Sequence, residues 1–363
     1  MMNPSALDAV GSRRLPVQGG VGVAPRAIAR SHRGRLRRGV SLIEVLAVIA
    51  IVGILLAVLL PAIQSVRESA RRATCGNNQR QVIKAIQQHE AACSVYPPQM
   101  GDPGRFSLRI AFGTLYFHLL PFVDQMPMYE ASVVLRNDAS VRTTLGDSVF
   151  GPGLGDRLHT HDCRFVVLGQ VVPAYRCPSD ASADYSLPAI PFGRSNSASN
   201  FQIFGGKGGG IDQTGGLAWQ TGVWHYDAEG RKSSADISDG LSSTLALAEK
   251  FSTCNSVRGG TMRGGCTWGR YNRFDFWQPT FAADSNHLGA QAMFQVNPLP
   301  FTFPGPCNPA VPQTPHAGGV MNVAFLDGSV RKVSGDMRPA VWWALCTPSG
   351  GESTDEFDEG FVN

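Results

Sequence analysis

The sequence predicts an α+β protein in which one long N-terminal helix packs on a large, antiparallel, β-rich head with long loops. Two observations lead to this prediction. An apolar run starts near residue 40, and helix-forming residues follow it with no proline between Pro61 and Pro97. The 41 glycines and 24 prolines of the chain break the remainder into short β-prone runs, which favours strands and loops over further long helices.

The first part of the predicted helix can cross a membrane. Every residue from Val45 to Leu60 is apolar or glycine, and a bilayer core needs about 20 such residues. Glu44 is the one ionisable group in this run, and an acid near the bilayer centre costs roughly 2.5 to 3.5 kcal/mol. Such a group needs a partner. We therefore predict a transmembrane stem over residues 40–63, and we expect Glu44 to have a partner.

Residues 1–39, which precede the stem, are strongly basic. They contain eight Arg, no Lys and one acid, Asp8, so their removal changes the net charge of the chain from +4 to −3. The positive-inside tendency places this end in the cytoplasm and the head on the other side of the membrane. Because the basic cluster lies outside the predicted head, we do not expect nucleic-acid binding.

The segment Arg37-Arg38-Gly39-Val40-Ser41-Leu42-Ile43-Glu44 runs directly into the apolar stretch. It resembles the junction of leader and stem in type IV prepilins and pseudopilins, although Val40 stands where that family usually has Phe. The resemblance implies a pilin-like fold and cleavage between Gly39 and Val40 by a prepilin peptidase that also N-methylates Val40. It further implies that Glu44, the fifth residue of the mature chain, neutralises the amino group of a neighbouring subunit. Residues 1–39 are then a cleaved leader.

Residues 64–93 are predicted to continue the helix beyond the membrane. Val82, Ile83 and Ile86 recur at helical spacing, so we expect this half of the helix to pack against the head, residues 94–363.

Within the head, short apolar runs predict strands, among them Leu245–Leu247 and Val320–Phe325. The stretch from Ser195 to Gly210 is rich in Ser, Asn and Gly, and it is predicted to be an exposed flexible loop.

A second resemblance covers most of the head. Motifs near Cys75, near Cys177, before Glu249 and from His316 to Val330 are similar, in that order, to a large family of prepilin-like bacterial proteins. The head of that family is a domain of unknown function, and it ends in His, nine residues and Asp-Gly. Here ten residues separate His316 from Asp327. The extra residue moves the side chains of a strand to the opposite face of the sheet unless a β-bulge accommodates it.

Two interpretations fit this last block. In the first, Asn322–Leu326 and Ser329–Val333 are the strands of a hairpin, and Asp327-Gly328 is its turn, with a positive φ at Gly328. In the second, His316 and Asp327 form a catalytic or metal pair. We favour the hairpin, because neither a nucleophile nor a third ligand accompanies the pair in the sequence.

All eight cysteines follow the apolar run, which is typical of an exported head with up to four disulfides. The short Gly-rich loop between Cys254 and Cys266 favours a bridge between those two. The eight candidates are Cys75, Cys93, Cys163, Cys177, Cys254, Cys266, Cys307 and Cys346.

A metal site is considered and not predicted. His159, His161 and Cys163 share a face if the chain is extended, and they suit zinc or copper, but Cys163 is expected to enter a disulfide. The resemblance to pseudopilins, whose major subunits bind calcium in a head loop, leaves calcium as the cofactor alternative. The acids near the C-terminus do not fit an EF-hand, and a solvated tail is favoured; they are Glu352, Asp355, Glu356, Asp358 and Glu359.

No hydrolase or metalloprotease signature occurs, and no enzyme is predicted. We predict a single-pass protein of the inner membrane that is a subunit, or minor subunit, of a type IV pilus-like or type II secretion-like filament. Its partners are the prepilin peptidase and N-methyltransferase, other pilin-like subunits and their assembly machinery. The alternative is a membrane-tethered binding protein or enzyme. Under this alternative, six tryptophans line a glycan groove, whereas packing in the core and sheets is the interpretation we favour for them. They are Trp219, Trp224, Trp268, Trp277, Trp342 and Trp343.

Overall fold

The fold is α+β, as the sequence predicts, with one long N-terminal helix and a sheet-rich head. The computed structural model describes residues 39–101, 111–135, 157–160, 167, 169–184, 193–205, 232–254, 264–269, 278–283, 288–300, 306–316, 318–351 and 361–362.

The helices are unequal in length. The first has 52 residues and the others are short. They are α1 (Leu42–Cys93), α2 (Leu115–His118), α3 (Met126–Glu130), α4 (Phe201–Phe204) and α5 (Pro339–Cys346), with 3₁₀ turns at Leu120–Phe122, Pro173–Tyr175, Ala181–Asp184, Ser234–Asp236 and Gly289–Ala292.

The described strands are short, and all of them lie in the head. They are β1 (Met100–Gly101), β2 (Ala111–Thr114), β3 (Val133–Leu135), β4 (Arg157–Thr160), β5 (Ser197–Asn200), β6 (Leu245–Glu249), β7 (Thr253–Cys254), β8 (Gly264–Gly265), β9 (Thr280–Phe281), β10 (Gln295–Val296), β11 (Gln313–Thr314), β12 (Val320–Phe325), β13 (Val330–Ser334) and β14 (Phe361–Val362).

The principal sheet has six strands in the order β14, β13, β12, β6, β5, β9. A second sheet has the order β1, β2, β4, β3, and β10–β11 and β7–β8 form two-stranded sheets. Most pairs among the described strands are antiparallel, as predicted, but β2–β4, β5–β9 and β10–β11 are parallel. The sheets are therefore mixed, with antiparallel pairs in the majority.

The carboxyl half of α1 belongs to the core of the head. Val82, Ile83 and Ile86 are fully buried, in one apolar cluster with Leu247 of β6 and Ala324 of β12. The helical spacing of these residues predicted this buried face correctly. The helix ends at Cys93, where Ser94 takes a φ of 62° and its N–H donates to Glu90 O, a left-handed cap.

The opposite face of the principal sheet carries α5. Met321, Val323 and Phe325 of β12 lie in a second cluster with Trp342 and Leu345 of α5. Because side chains alternate between the two faces of a strand, Asn322 and Ala324 point toward α1 instead. The principal sheet is thus covered by α1 on one face and by α5 on the other.

The prediction of an exposed loop from Ser195 to Gly210 is wrong for the residues that the structure describes. Ser197–Asn200 is the buried strand β5, and α4 follows it directly. The Asn200 side chain donates to the carbonyls of Leu245 and Cys346, each at 2.7 Å, and its oxygen caps α4. The side chains of Ser199 and Asn200 tolerate this burial because their hydrogen bonds are satisfied within the protein. Residues 206–210 lie outside the described residues.

Candidate functional site

The first candidate site is the start of α1. Gly39 and Val40 precede the helix, both are exposed, and a Cβ added to Gly39 would meet no atom within 4 Å. Among the described residues, no side chain therefore covers the peptide bond between them. Cleavage at this bond and methylation of Val40 stay predictions.

Glu44 is hydrogen-bonded locally at this helix start. Its Oε2 accepts the backbone N–H of Ser41 at 2.8 Å, and the carbonyl of Ser41 accepts the N–H groups of Glu44 and Val45. Ser-x-x-Glu is the sequence pattern of a capping box, and the bond from the Ser41 N–H to Glu44 is one half of that motif. Sequence reasoning assigned Glu44 an intermolecular role and missed this local one.

The amino half of α1 has no cover among the described residues. From Leu42 to Ile63 every side chain is exposed, including Ile54 and Leu55. Within the described chain, α1 is the one helix long and apolar enough to cross a membrane. Pro61 lies inside the helix without ending it, as neighbouring hydrogen bonds in membrane helices permit.

The second candidate site surrounds His316, between β11 and β12. Its Nδ1 lies 2.8 Å from Oε1 of Glu68 on α1, and its Nε2 lies 3.1 Å from Oε1 of Glu249 at the end of β6. Asn322 of β12 donates to the same Glu249 oxygen at 2.7 Å, and Thr314 donates to Oε2 at 2.9 Å. The imidazole therefore connects α1 to the principal sheet.

Two carboxylates control the protonation of this imidazole. Burial acts to lower the pKa of His316, but the hydrogen bond and charge of Glu249, followed by those of Glu68, outweigh it and raise the pKa above its ordinary value. A protonated ring has an N–H donor on each side, which matches one carboxylate at each ring nitrogen.

The family-motif residues Asp327 and Gly328 have a structural place. Asp327 Oδ1 accepts the N–H of Ser329 at 2.8 Å, and Gly328 has a φ of 89°. They form the turn between β12 and β13, so the hairpin interpretation is confirmed. In the described residues the carboxylates bonded to His316 are Glu68 and Glu249, which makes the proposed His316–Asp327 pair wrong. The pairing of β12 with β6 has a register shift between Ala324 and Phe325. Such a shift is the kind of irregularity that accommodates one extra residue between His316 and Asp327.

Four of the cysteine candidates form two disulfides, Cys75–Cys177 and Cys254–Cys307. The predicted bridge between Cys254 and Cys266 is wrong. The antiparallel pair β7–β8 places Cys254 opposite Gly264, and the thiol of Cys266 donates to the carbonyl of Ser197 instead. Burial raises the pKa of Cys266 to about 12.

The remaining cysteine candidates form no disulfide among the described residues. Cys93 and Cys346 are buried, and Cys163 lies outside the described residues.

The histidine, tryptophan and acidic candidates are either placed by the structure or lie outside the described residues. His159 is buried and stacks on Tyr129 at 4.5 Å between ring centroids, while His161 lies outside the described residues. Trp268 and Trp342 are fully buried. Trp343 is half-buried and packs against the second apolar cluster, which contains Trp342. Lying outside the described residues are Trp219, Trp224, Trp277, Glu352, Asp355, Glu356, Asp358 and Glu359.

Sequence reasoning missed most of the His316 site. In the sequence, Glu249 follows one of the family motifs, and Glu68 is one residue of the predicted helix over residues 64–93. An acid that ends the apolar run Leu245–Ala248 is a usable signal, because a buried carboxylate needs partners. Glu68 offers no comparable signal, since it lies 248 residues from His316 in sequence.

Comparisons with known proteins agree with this architecture. Residues 34–60 match the prokaryotic N-terminal methylation motif, which covers Gly39, Val40 and Glu44. Residues 64–337 match the family described as a protein of unknown function, DUF1559. No curated protein and no solved structure matches the chain. The chain therefore belongs to the DUF1559 family and is a prepilin-like protein, with an N-terminal methylation motif and one apolar helix ahead of its head.

Proposed function

We propose that the chain is a pilin-like subunit, or minor subunit, of a type IV pilus-like or type II secretion-like filament, with a structural and not an enzymatic role. A prepilin peptidase cleaves it between Gly39 and Val40 and methylates Val40. The helix then holds the protein in the inner membrane, with the amino end in the cytoplasm and the head in the periplasm or outside the cell. Other pilin-like subunits and their assembly machinery withdraw it from there.

The observation that supports this proposal most strongly is the combination at the start of α1. A methylation motif continues into a helix half whose apolar side chains are exposed, with Glu44 as its one acid. In the described chain Glu44 accepts one hydrogen bond, from the Ser41 N–H, and a carboxylate has about four acceptor positions. Acceptor capacity therefore remains for the amino group of a second subunit, and in an apolar setting that ion pair offsets the cost of burying the charge.

The processing step is tested by mass spectrometry of the protein isolated from envelopes of the native host. The expected N-terminus is Val40 carrying one methyl group. A Gly39→Ala variant is expected to keep residues 1–39. Finding the leader intact on the mature wild-type protein would remove the basis of the proposal.

The assembly step is tested with Glu44→Gln, which removes the charge and preserves the side-chain shape. We expect this variant to be cleaved and folded normally but to be absent from sheared filament or secretion-complex fractions. Glu90→Gln, an acid near the other end of α1, is the matched control and is expected to assemble. If wild-type protein forms no such complex in its host, the protein is a membrane-tethered head and the filament proposal fails.

A further inference from the structure

Four metal-ligating side chains meet at the disulfide that joins α1 to the head. Cys75, Cys177, Glu249 and His316 each offer one donor atom, and these four atoms lie within 4.8 Å of one another. All four residues are buried, with His316 at 0% and none above 5% exposure. They come from α1, from the segment before β5, from the end of β6 and from the segment between β11 and β12.

The spacing of these atoms approaches that of a tetrahedral zinc site. Zinc binds sulfur at about 2.3 Å and nitrogen or oxygen at about 2.0 to 2.2 Å, so neighbouring ligand atoms stand roughly 3.3 to 3.8 Å apart. Nε2 of His316 lies 3.1 Å from Oε1 of Glu249 and 4.0 Å from Sγ of Cys177. Both separations are within a few tenths of an ångström of the zinc geometry. Reduction of the disulfide must separate the two sulfurs.

The groups around the four ligands are those that orient a metal site. The second ring nitrogen of His316 is bonded to Glu68, whose carboxylate also accepts the hydroxyl of Ser179 at 3.1 Å. Glu249 is fixed by Asn322 and Thr314. A metal-bound histidine commonly donates its other N–H to a carboxylate, and a metal-bound carboxylate is commonly hydrogen-bonded in turn. This outer layer is already complete in the disulfide form.

The donor types select the class of metal. Two thiolates, one imidazole and one carboxylate suit zinc, whereas calcium takes oxygen ligands alone. Two thiolates and the Glu249 carboxylate together carry a charge of −3, and a divalent cation reduces it to −1. Burial of the four ligands excludes water, which strengthens the attraction of the cation for these charges.

We propose that the reduced form of this site binds zinc through Cys75, Cys177, His316 and Glu249, so that the disulfide and the zinc ion are alternative links between α1 and the head. A dithiol transfers two electrons and two protons to the disulfide and itself becomes a disulfide, which leaves Cys75 and Cys177 as thiols. Zinc then binds both sulfurs as thiolates, and the thiol protons and any proton on His316 Nε2 pass to solvent.

Cobalt(II) tests this proposal because its spectrum reports thiolate ligation and tetrahedral geometry. The full chain in detergent is reduced with a phosphine, which takes an oxygen atom from water to become the phosphine oxide, and is desalted without oxygen. We expect one equivalent of Co²⁺ to give thiolate-to-cobalt charge transfer and intense visible bands, which zinc then abolishes. The oxidised chain is expected to show neither signal.

Matched variants separate this site from the other cysteines. The double variant Cys254→Ser with Cys307→Ser removes the other disulfide and is expected to keep the cobalt spectrum. The double variant Cys75→Ser with Cys177→Ser is expected to lose it, and Glu68→Gln to weaken binding about 10- to 100-fold. An unchanged spectrum without Cys75 and Cys177, or no thiolate-bound cobalt in the reduced wild type, would overturn the proposal.

A second measurement uses only the wild-type chain, in case a variant does not fold. Iodoacetamide is added to the reduced protein with and without zinc, and mass spectrometry reports the alkylation of each cysteine. We expect zinc to protect Cys75 and Cys177 at least tenfold and to leave Cys254 and Cys307 reactive. Equal protection of both cysteine pairs, or a reduced chain that zinc neither refolds nor protects, contradicts the proposal.

Discussion

The two halves of α1 differ in how their side chains are buried. From Leu42 to Ile63 every side chain is exposed, and apolar residues occupy all faces of the helix. From Cys75 to Cys93 the buried residues recur every three or four positions, as on a helix with one face against a core. The first half has no cover among the described residues, whereas the second half is stabilised by the head itself.

Glu44 in the amino half of α1 and Glu249 in the head also differ in how they are held. Glu44 in the amino half accepts a hydrogen bond from Ser41, three residues away. Glu249, which the carboxyl half of α1 reaches through Glu68 and His316, is bonded to Thr314, His316 and Asn322. Changes at Glu44 should therefore affect assembly, whereas changes at Glu249 should affect the folding of the single chain.

The largest effect is expected from Glu249→Ala. This change leaves His316 and Asn322 buried without their acceptor, and loss of one partner of a buried ion pair costs about 3 to 5 kcal/mol. Urea unfolding of the full chain in detergent, followed by tryptophan fluorescence, measures the free energy of unfolding. Glu249→Gln keeps an acceptor oxygen and is expected to lose less. Equal stability of wild type and Glu249→Ala would show that the network does not join helix and head.

A smaller effect is expected from one substitution placed in each half of α1. Ile86→Ala removes a fully buried side chain in contact with the core, which costs about 2 to 5 kcal/mol. Ile54→Ala makes the same chemical change at a side chain that is 67% exposed, and no measurable change is expected in detergent. The same urea titration compares the two variants. A comparable loss from both would mean that the halves are not distinct in folding.

Features encoded by neighbouring residues could be predicted from the sequence. The N-terminal methylation motif, the apolar run, the buried spacing of Val82 and Ile86 and the Asp327-Gly328 turn all depend on local sequence patterns or turn chemistry. Each of them describes the structure without knowledge of distant contacts.

Features made by distant residues could not be predicted. Cys254 pairs with Cys307 across 53 residues rather than with the nearby Cys266, and the pairing of β7 with β8 places Gly264 opposite Cys254. Ser197–Asn200 has the composition of a loop but is buried, and the Asn200 side chain finds its partners in β6 and α5. Glu68 and His316 meet only because α1 covers the principal sheet. Composition cannot encode such pairings.

The smallest effect concerns the pH dependence of stability. It compares His89, which lies in the carboxyl half of α1, with His316, which is hydrogen-bonded to Glu68 of that helix. Burial lowers the pKa of His89 to about 4, although its hydrogen bond to Val95 O acts to raise it. His89 stays neutral in the folded chain while an unfolded histidine protonates near 6.5, so stability should fall as pH drops below that value, by about 2 kcal/mol at pH 5. The pKa of His316 is raised, so its contribution is complete below 6.5 and is lost as pH rises through the folded value.

Stability should therefore be greatest near or just above pH 6.5 and decline on both sides. Urea titrations of the full chain at a series of pH values measure each decline. His89→Gln is expected to flatten the acid side only, and His316→Gln the alkaline side only, because each variant removes one of the two titrating rings. If His316→Gln leaves the alkaline slope unchanged, the two carboxylates do not hold a proton on that ring, and the link between α1 and the sheet is a hydrogen bond without an ionic contribution.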